Sequence, residues 1–384
     1  CRTTDLDNVG RTLRHNTFFE MLGNFSFGDY YKREVISWAW HFITKELGLP
    51  LEKLSVTVHH KDHEAYDIWN KEMGISEHKI VKLDDKDNFW AAGETGPCGF
   101  CSEIYYDMGV EFGDGTPDEK AGSDSDRFLE FWNLVFMEFN RKEDGSLEQL
   151  PAKNIDTGMG LERITSIIQG VQGIFDIDTF KPLMKEIENI SGKTYGQDKK
   201  LDVFFKIIAD HMRATVFLIT DGVRPGNVSR EYVLRRIMRR AVRYGRLLEI
   251  NEPFLHKLVP VVVEVGKNAF PELIEKYDQV IKVVTTEEEL FNRTLNNGIR
   301  ILTKAIDSAK ANNKTTISGE DAFELYDTYG FPLELTVEIA TENGFNVDVA
   351  KYDEEMKKQV SRAREAHNAT SLNDVAVQMN LDNI

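Results

Sequence analysis

Little in this 384-residue chain points to a membrane, a disulfide scaffold or a nucleic-acid coat. Cysteine is scarce: Cys1, Cys98 and Cys101 are too few for a disulfide framework and fit a reducing, cytoplasmic setting. Apolar runs stay far below the roughly 18 residues of a spanning helix. A typical candidate, Leu258–Val263, is interrupted by Pro260 and ended by Glu264. Net positive charge is also lacking. With 47 basic against 64 acidic residues the formal charge is −17, which excludes a surface that coats phosphate generally and leaves only a local basic patch open. No initiator Met and no charged-then-apolar leader precede Cys1, so the chain reads as an internal piece of a longer polypeptide.

What is present is ordinary for a globular protein, 41% hydrophobic and 29% charged, and long enough for two or more cores. Residues 1 to 170 carry aromatic and β-branched runs: Ser55–His60, Ser102–Asp107 and Arg127–Arg141. Turn signals such as Gly113-Asp-Gly115 and Asp144-Gly145 separate them, and helical patterns cover Lys32–Glu46 and His63–Met73. Without a regular βαβ rhythm, this predicts an α+β domain on an antiparallel sheet. From 171 to 384 the spacing turns helical, over Leu201–Thr220, Ser229–Leu248, Phe254–Val265 and Val280–Asn312. A domain boundary is expected between 165 and 200.

Two segments carry chemistry. Asp156-Thr-Gly-Met-Gly-Leu-Glu-Arg163 leads from a strand-like run into an amphipathic helix. Its glycines admit close backbone approach, and a guanidinium at a helix N-terminus suits a terminal phosphate. The plainer reading is a strand-to-helix turn whose Arg joins an ion pair. No third glycine and no GxxxxGK[ST] occur, so dinucleotide-loop and P-loop chemistry are unsupported. The second segment, Arg2 to Glu20, reads as strand, loop, strand, with Arg2 on one arm and Arg14-His-Asn-Thr-Phe-Phe19 on the other. Two arginines on one sheet could grip the two ends of a triphosphate.

These segments resemble motifs 2 and 3 of class II aminoacyl-tRNA synthetases. The run His15-Asn-Thr-Phe-Phe-Glu-Met-Leu-Gly-Asn-Phe-Ser-Phe-Gly-Asp-Tyr30 is similar to the alanyl-tRNA synthetase family in particular. So are Gly96-Pro-Cys-Gly, Trp132-Asn-Leu-Val-Phe-Met and Leu325-Tyr-Asp-Thr-Tyr-Gly-Phe-Pro332, in order along essentially the whole chain. The resemblance implies a class II antiparallel sheet flanked by helices over 1–170, and an all-α tRNA-recognition domain over 171–384. It implies activation of L-alanine with ATP and Mg²⁺, then transfer to the 3′ end of tRNA(Ala). Arg2 would grip the α-phosphate and Arg163 the γ-phosphate, with adenine near Asn16, where the family usually has His. Trp90, Phe131, Trp132 and Asn133 would line the ATP and alanine pocket, Gly160 would touch the nucleotide, and Asp156 would pair with the α-ammonium, assisted by Asn133. Glu103 and Glu138 are candidate Mg²⁺ ligands. The family's zinc site is expected only in a C-terminal region beyond this chain, as is its editing domain.

Positive charge concentrates in Ser229–Arg246, where Arg230, Arg235, Arg236, Arg239, Arg240, Arg243 and Arg246 accompany a single acid, Glu231. Val233, Ile237, Ala241 and Tyr244 would face inward and leave the arginines outward. The helix either neutralises phosphates or pairs with acidic neighbours. The resemblance favours an acceptor-stem contact through Arg235 and Arg239, with Asn227 and Asp327 reading the G·U wobble in the shallow minor groove. Cys98-Gly-Phe-Cys101 is a lone CxxC that cannot complete a tetrahedral zinc site locally, so no metal role is expected there. Two other functions compete with the ligase: a tRNA-binding paralogue that lost catalysis, and an enzyme activating a small amino acid without tRNA. Intact Arg2, Asp156, Gly160 and Arg163 speak against the first, and the basic helix against the second.

Overall fold

The computed structural model describes residues 1–116 and 119–359. Contacts divide the chain between Ala214 and Thr215 into two compact units.

In the first unit the aromatic and β-branched runs are strands: β1 (Met21–Leu22), β2 (Phe25–Phe27), β3 (Leu54–His59), β4 (Ile80–Leu83), β5 (Phe89–Ala91), β6 (Gly96–Asp107), β7 (Phe128–Arg141) and β8 (Leu147–Gly160). They form one sheet in the order β1-β8-β7-β6-β3-β4, with β2 also on β8 and β5 on β6. Every described pair in it is antiparallel except β3 with β4, where Val56 lies beside Ile80. The expected antiparallel sheet is therefore mixed at one edge, because β3 reaches β4 through a helical crossover and not a hairpin. The β7–β8 hairpin closes at the expected Asp144-Gly145 turn. There Gly145 takes φ +80°, and Asp144 accepts the Ser146 amide at 2.9 Å.

The helices of this unit are α1 (Lys32–His41), α2 (His63–Asp67), α3 (Asp85–Asn88), α4 (Leu161–Gln169), α5 (Lys181–Ser191) and α6 (Lys199–Thr220). Both α1 and α2 run on into a π-helical turn, Phe42–Glu46 and Ile68–Glu72, which completes the predicted helical spans. Val35, Ile36, Ala39, Ile43 and Trp69 pack on one sheet face against Val56, Val58, Leu134 and Phe136. The opposite face stays open for a ligand.

Residues 2–20 depart from the expected strand-loop-strand. Burial of Leu6 and Val9 draws the segment into helical turns, with Val9 N–H donating to Asp5 O at 3.2 Å. One backbone bond crosses it, Arg2 N–H to Thr17 O at 2.7 Å. The observed division also lies later than the one expected after residue 170. Asp210 and Arg213 of α6 bond Thr17 and Glu162, which holds the helices up to 214 in the first unit.

The second unit contains α7 (Ser229–Leu247), α8 (Leu255–Gly266), α9 (Glu272–Glu275), α10 (Tyr277–Ala311), α11 (Gly319–Tyr329) and α12 (Leu333–Glu342). A two-stranded parallel pair, β9 (Thr316–Ile317) with β10 (Asn346–Val347), interrupts the expected all-α character. Among the described residues no helix is long and apolar enough to cross a membrane.

A buried charge cluster fixes α1 to α2. Lys32 Nζ, whose side chain is 4% exposed, lies 2.9 Å from Asp62 and 3.1 Å from Glu138. Burial alone would lower the Lys32 pKa, but the two carboxylates overcome it and raise it. Asp62 also caps α2, accepting the Ala65 amide at 3.1 Å. Asp62→Ala is expected to cost about 3 kcal/mol in urea unfolding, because the buried ammonium loses the nearest of its carboxylates and α2 loses its cap. The apolar double variant Lys32→Met/Asp62→Leu should cost less than that single change.

Candidate nucleotide and amino-acid site

Period-two alternation along β7 and β8 sends one set of side chains to the open face. Asn133 and Val135 project there from β7, and Asp156, Gly158 and Gly160 line the same space from β8. The register sets Asn133 beside Gly158 and Val135 beside Asp156. A bulge between Ile104 and Tyr105 breaks the β6–β7 register, so Glu130 and Phe131 both reach that face.

These residues bound a cavity of about 460 Å³. Arg2, Asn16 and Phe19 close it from the N-terminal segment, Trp90 from β5, and Glu162 and Arg163 from the start of α4. Of the predicted nucleotide and amino-acid residues, Arg2, Asn16, Trp90, Phe131, Asn133, Asp156, Gly160 and Arg163 thus share one cavity. Trp132 does not line it. Strand alternation turns its indole to the helix side, 8% exposed and edge-on to Phe42 at 6.0 Å.

The two arginines named above are each paired with a carboxylate, whereas Asp156 is unpaired. Arg163 donates to the Glu130 carbonyl at 2.7 Å and carboxylate at 2.8 Å. Arg2, whose side chain is 58% exposed, meets Asp5 at 2.9 Å. Asp156 is the exception: half-buried, its carboxylate has no partner among the described residues, and burial raises its pKa. Two amide groups lining the cavity also lack partners, Asn16 Nδ2 and Asn133 Oδ1. His15 bonds Thr12 Oγ1 at 2.7 Å, and burial, followed by Arg14, lowers its pKa.

Gly160 takes φ −66°, a conformation open to any residue, and an added Cβ would meet only the Arg163 side chain, at 3.4 Å. The missing Cβ therefore leaves room above the α4 N-terminus, where backbone amides favour an anion.

Glu103 is pushed up to about 8, first by burial and next by Glu130. Tyr105 donates to it at 2.6 Å and Asn133 at 3.2 Å. Glu130, absent from the predicted site, lies near Glu103 and at Arg163. Only the bulge brings it in, and no sequence signal marks the bulge. Lys86 and Asp87 of α3 also line the cavity, again without a motif to announce them. Glu138 does not: it is held by Lys32 at 3.1 Å and Lys153 at 3.7 Å, away from the site. Among the described residues no three His, Cys, Asp or Glu side chains converge to hold a metal ion.

In the second unit the basic helix α7 turns largely inward. Arg239, Arg240 and Arg243 are buried. Glu287 binds Arg235 at 3.1 Å and Arg239 at 2.7 Å, and Glu338 binds Arg240 at 3.0 Å. Outward-facing arginines were expected; acidic neighbours on α10 and α12 draw them in because a buried guanidinium needs a carboxylate. Arg239 also donates to the Gly330 carbonyl. Asn227 and Asp327 are exposed. Arg235 donates to Asn227 Oδ1, and Asp327 Oδ1 accepts from Gln359 Nε2.

A cavity on a largely antiparallel sheet, with arginines from two distant segments and a glycine-opened helix terminus, marks an α+β domain with room for an anionic ligand. The family model of the class II (A) tRNA synthetases matches residues 1–383, and the chain belongs to that family. It is 53% identical over 369 residues to an alanine–tRNA ligase of Desulforamulus reducens, covering 96% of this chain and 42% of that protein. The alanine–tRNA ligase of Clostridioides difficile is 53% identical over 365 residues, 95% of this chain and 41% of the relative. That of Geobacillus thermodenitrificans is 53% identical over 369 residues, 95% and 42% respectively. The chain thus spans about two fifths of the length of the curated relatives it matches.

The elevated Glu103 pKa has a consequence for stability. Its ionised form is disfavoured in the fold, so its favourable contribution is complete below about pH 4.5 and is lost as pH rises toward about 8. The difference in thermal midpoint between the ligand-free parent and Glu103→Gln should shift across that window, the parent losing ground as pH rises. Parallel curves would show that Glu103 ionises normally.

Proposed function

We propose that the chain forms the amino-acid-activating end of an alanine–tRNA ligase: it joins L-alanine to AMP from ATP and passes the alanyl group to the 3′ end of tRNA(Ala). One observation carries this reading. A desolvated, unpartnered Asp156 carboxylate shares a cavity with Arg2 and Arg163. An ammonium ion satisfies the first and phosphates the other two, so a small amino acid and a nucleotide fit together.

The alanine carboxylate attacks the α-phosphorus in line, the bond to pyrophosphate breaks, and alanyl-adenylate forms. A ribose hydroxyl of the tRNA then takes the alanyl group and AMP leaves. Little proton transfer is needed in activation, so positioning and charge stabilisation carry the rate. Asp156 orients the ammonium and Asn133 supports it, while Arg2 holds the α-phosphate and Arg163 the γ-phosphate. Each guanidinium exchanges its present carboxylate, Asp5 or Glu130, for phosphate oxygen. Asn16 Nδ2, buried and unpartnered, offers a donor to adenine. Phe131 and Trp90 supply apolar and stacking surface, and Gly160 leaves space for the nucleotide.

ATP and Mg²⁺ use is general to the class. Glu103 and Glu130, two adjoining carboxylates, suit a cation that also takes phosphate oxygens; Mg²⁺ there would offset charge on the departing pyrophosphate. The first unit, up to residue 214, supplies this chemistry in our reading, and the helical region after it recognises the tRNA acceptor stem through Asn227, Asp327, Arg235 and Arg239. Free thiols at Cys98 and Cys101 support a reducing cytoplasm.

Alanine-dependent ATP–pyrophosphate exchange by the full-length protein tests the reading, with glycine, serine and a large amino acid as comparisons. Glycine and serine should register weakly, since a methyl-sized difference is worth about 1–3 kcal/mol. Asp156→Asn should raise the alanine KM about 100-fold with far less effect on ATP. A folded protein without alanine-dependent exchange overturns the proposal. For the tRNA step, Asn227→Ala and Asp327→Ala should each lower aminoacylation kcat/KM by about tenfold or more and leave exchange intact.

A further inference from the structure

One turn of α6 contains three buried polar residues that the mechanism above does not use. Asp210 and His211 are 1% and 0% exposed and Arg213 is 8% exposed. A buried carboxylate and guanidinium are costly to retain, and well-packed apolar side chains would serve a purely structural role as well or better. What these two hold is therefore informative.

Asp210 holds the second arm of the N-terminal segment at a single residue. Its Oδ1 accepts the Thr17 amide at 2.8 Å, its Oδ2 accepts the Thr17 hydroxyl at 2.5 Å, and His211 Nδ1 lies 2.8 Å from Oδ2. The Thr17 carbonyl in turn accepts the Arg2 amide at 2.7 Å. Thr17 follows Asn16, whose buried side chain lines the cavity. The Arg2 guanidinium is mostly exposed and meets only Asp5 among the described side chains. Its approach to the cavity is thus set by its backbone anchor, and that anchor ends on Asp210. The loop between is seated on the same helix: Gly10 has φ +80°, and a Cβ there would lie 2.8 Å from the Val203 carbonyl.

Arg213, three residues along the helix, performs the matching task at α4. It lies between the rings of Phe18 and Phe180, at 5.2 and 5.4 Å, and donates to Glu162 and, at 3.0 Å, to Glu20. Glu162 also accepts the Glu20 amide, at 3.1 Å from Oε2, and Leu161 N–H donates to the Glu20 carbonyl at 2.9 Å. Glu162 immediately precedes Arg163.

We propose that Asp210 and Arg213 are positioning residues for the nucleotide: from one helical turn, Asp210 sets the place of Arg2 and Asn16 through Thr17, and Arg213 sets that of Arg163 through Glu162. This rests on the function proposed above and adds to it a support outside the matched motifs. Neither residue touches substrate. Asp156 and Asn133 stand on β8 and β7, outside this network, so the amino-acid half of the site is independent of it.

The test uses the full-length protein and the variants Thr17→Val, Thr17→Ser and Asp210→Asn. Thr17→Val keeps the shape and the β-branch but removes the hydroxyl that Asp210 accepts. In alanine-dependent exchange, Thr17→Val and Asp210→Asn should raise the ATP KM about tenfold or more and leave the alanine KM within about twofold, and Thr17→Ser should restore the parent value. Unchanged ATP KM in a folded Thr17→Val protein overturns the inference. So does a parallel rise of both KM values in step with a falling thermal midpoint, which marks general loosening. Should Asp210→Asn fail to fold, the Thr17 pair decides. Direct calorimetry of ATP separates the two proposals: a parent that binds ATP without alanine-dependent exchange sinks the ligase reading, and the same variants then score positioning on ATP affinity. A parent that binds no ATP removes both.

Discussion

The register of β7 against β8 is the constraint on which the site depends. With Val135 beside Asp156 and Asn133 beside Gly158, the Asp156 carboxylate and the Asn133 amide share one face. A slip of β7 by one residue would send Asn133 into the helix layer, away from Asp156, and bring Leu134 and Trp132 to the ligand side. The hairpin turn at Asp144-Gly145 and the apolar packing of the opposite face both oppose such a slip. Close approach of β6 enforces it further, since a Cβ on Gly99 would fall 1.9 Å from the Phe136 carbonyl.

The electrostatic arrangement follows one pattern in both units: guanidinium groups are occupied by carboxylates of the same chain. Arg163 is engaged by Glu130, Arg2 by Asp5, and Arg235 and Arg239 by Glu287. Such partners keep the cationic groups ordered without substrate, and exchanging a carboxylate for a phosphate changes little in local charge. Asp156 stands apart because nothing in the described chain neutralises it. A half-buried carboxylate without a partner is costly to ionise, which is what a cationic group placed beside it would relieve.

Much of this was legible in the sequence, for identifiable reasons. The strands Ser102–Asp107 and Arg127–Arg141 and the helices from Leu201 onward announce themselves by period, because each buries one face. Asp156, Gly160 and Arg163 were legible through the resemblance of their block to motif 3; the local junction with two glycines alone reads as a plain strand-to-helix turn. The misses are nonlocal. Glu130 enters the cavity through a bulge at Phe131 that shows only in the pairing of β7 with β6, and Trp132 leaves it by the alternation that brings Asn133 in. Glu138 is claimed by Lys32, more than 100 residues earlier. The inward turn of Arg239 and Arg240 depends on glutamates of α10 and α12, which no pattern within α7 reveals. The 2–20 segment reads as a hairpin with Arg2 on one arm and Phe18-Phe19 on the other, yet Leu6 and Val9 pull it into turns.

The glutamate partners of α7 bear on how any RNA contact there would respond to ionic strength. Association with a nucleic acid is usually favoured by shedding condensed cations, one for about every phosphate neutralised. If a phosphate took Arg235 from Glu287, the bared carboxylate would recruit a cation of its own. The release would then be partly cancelled, and a plot of log affinity against log salt would run shallower than the number of arginine contacts suggests. An acidic protein built this way could hold an RNA stem at physiological salt with little general attraction to polyanions.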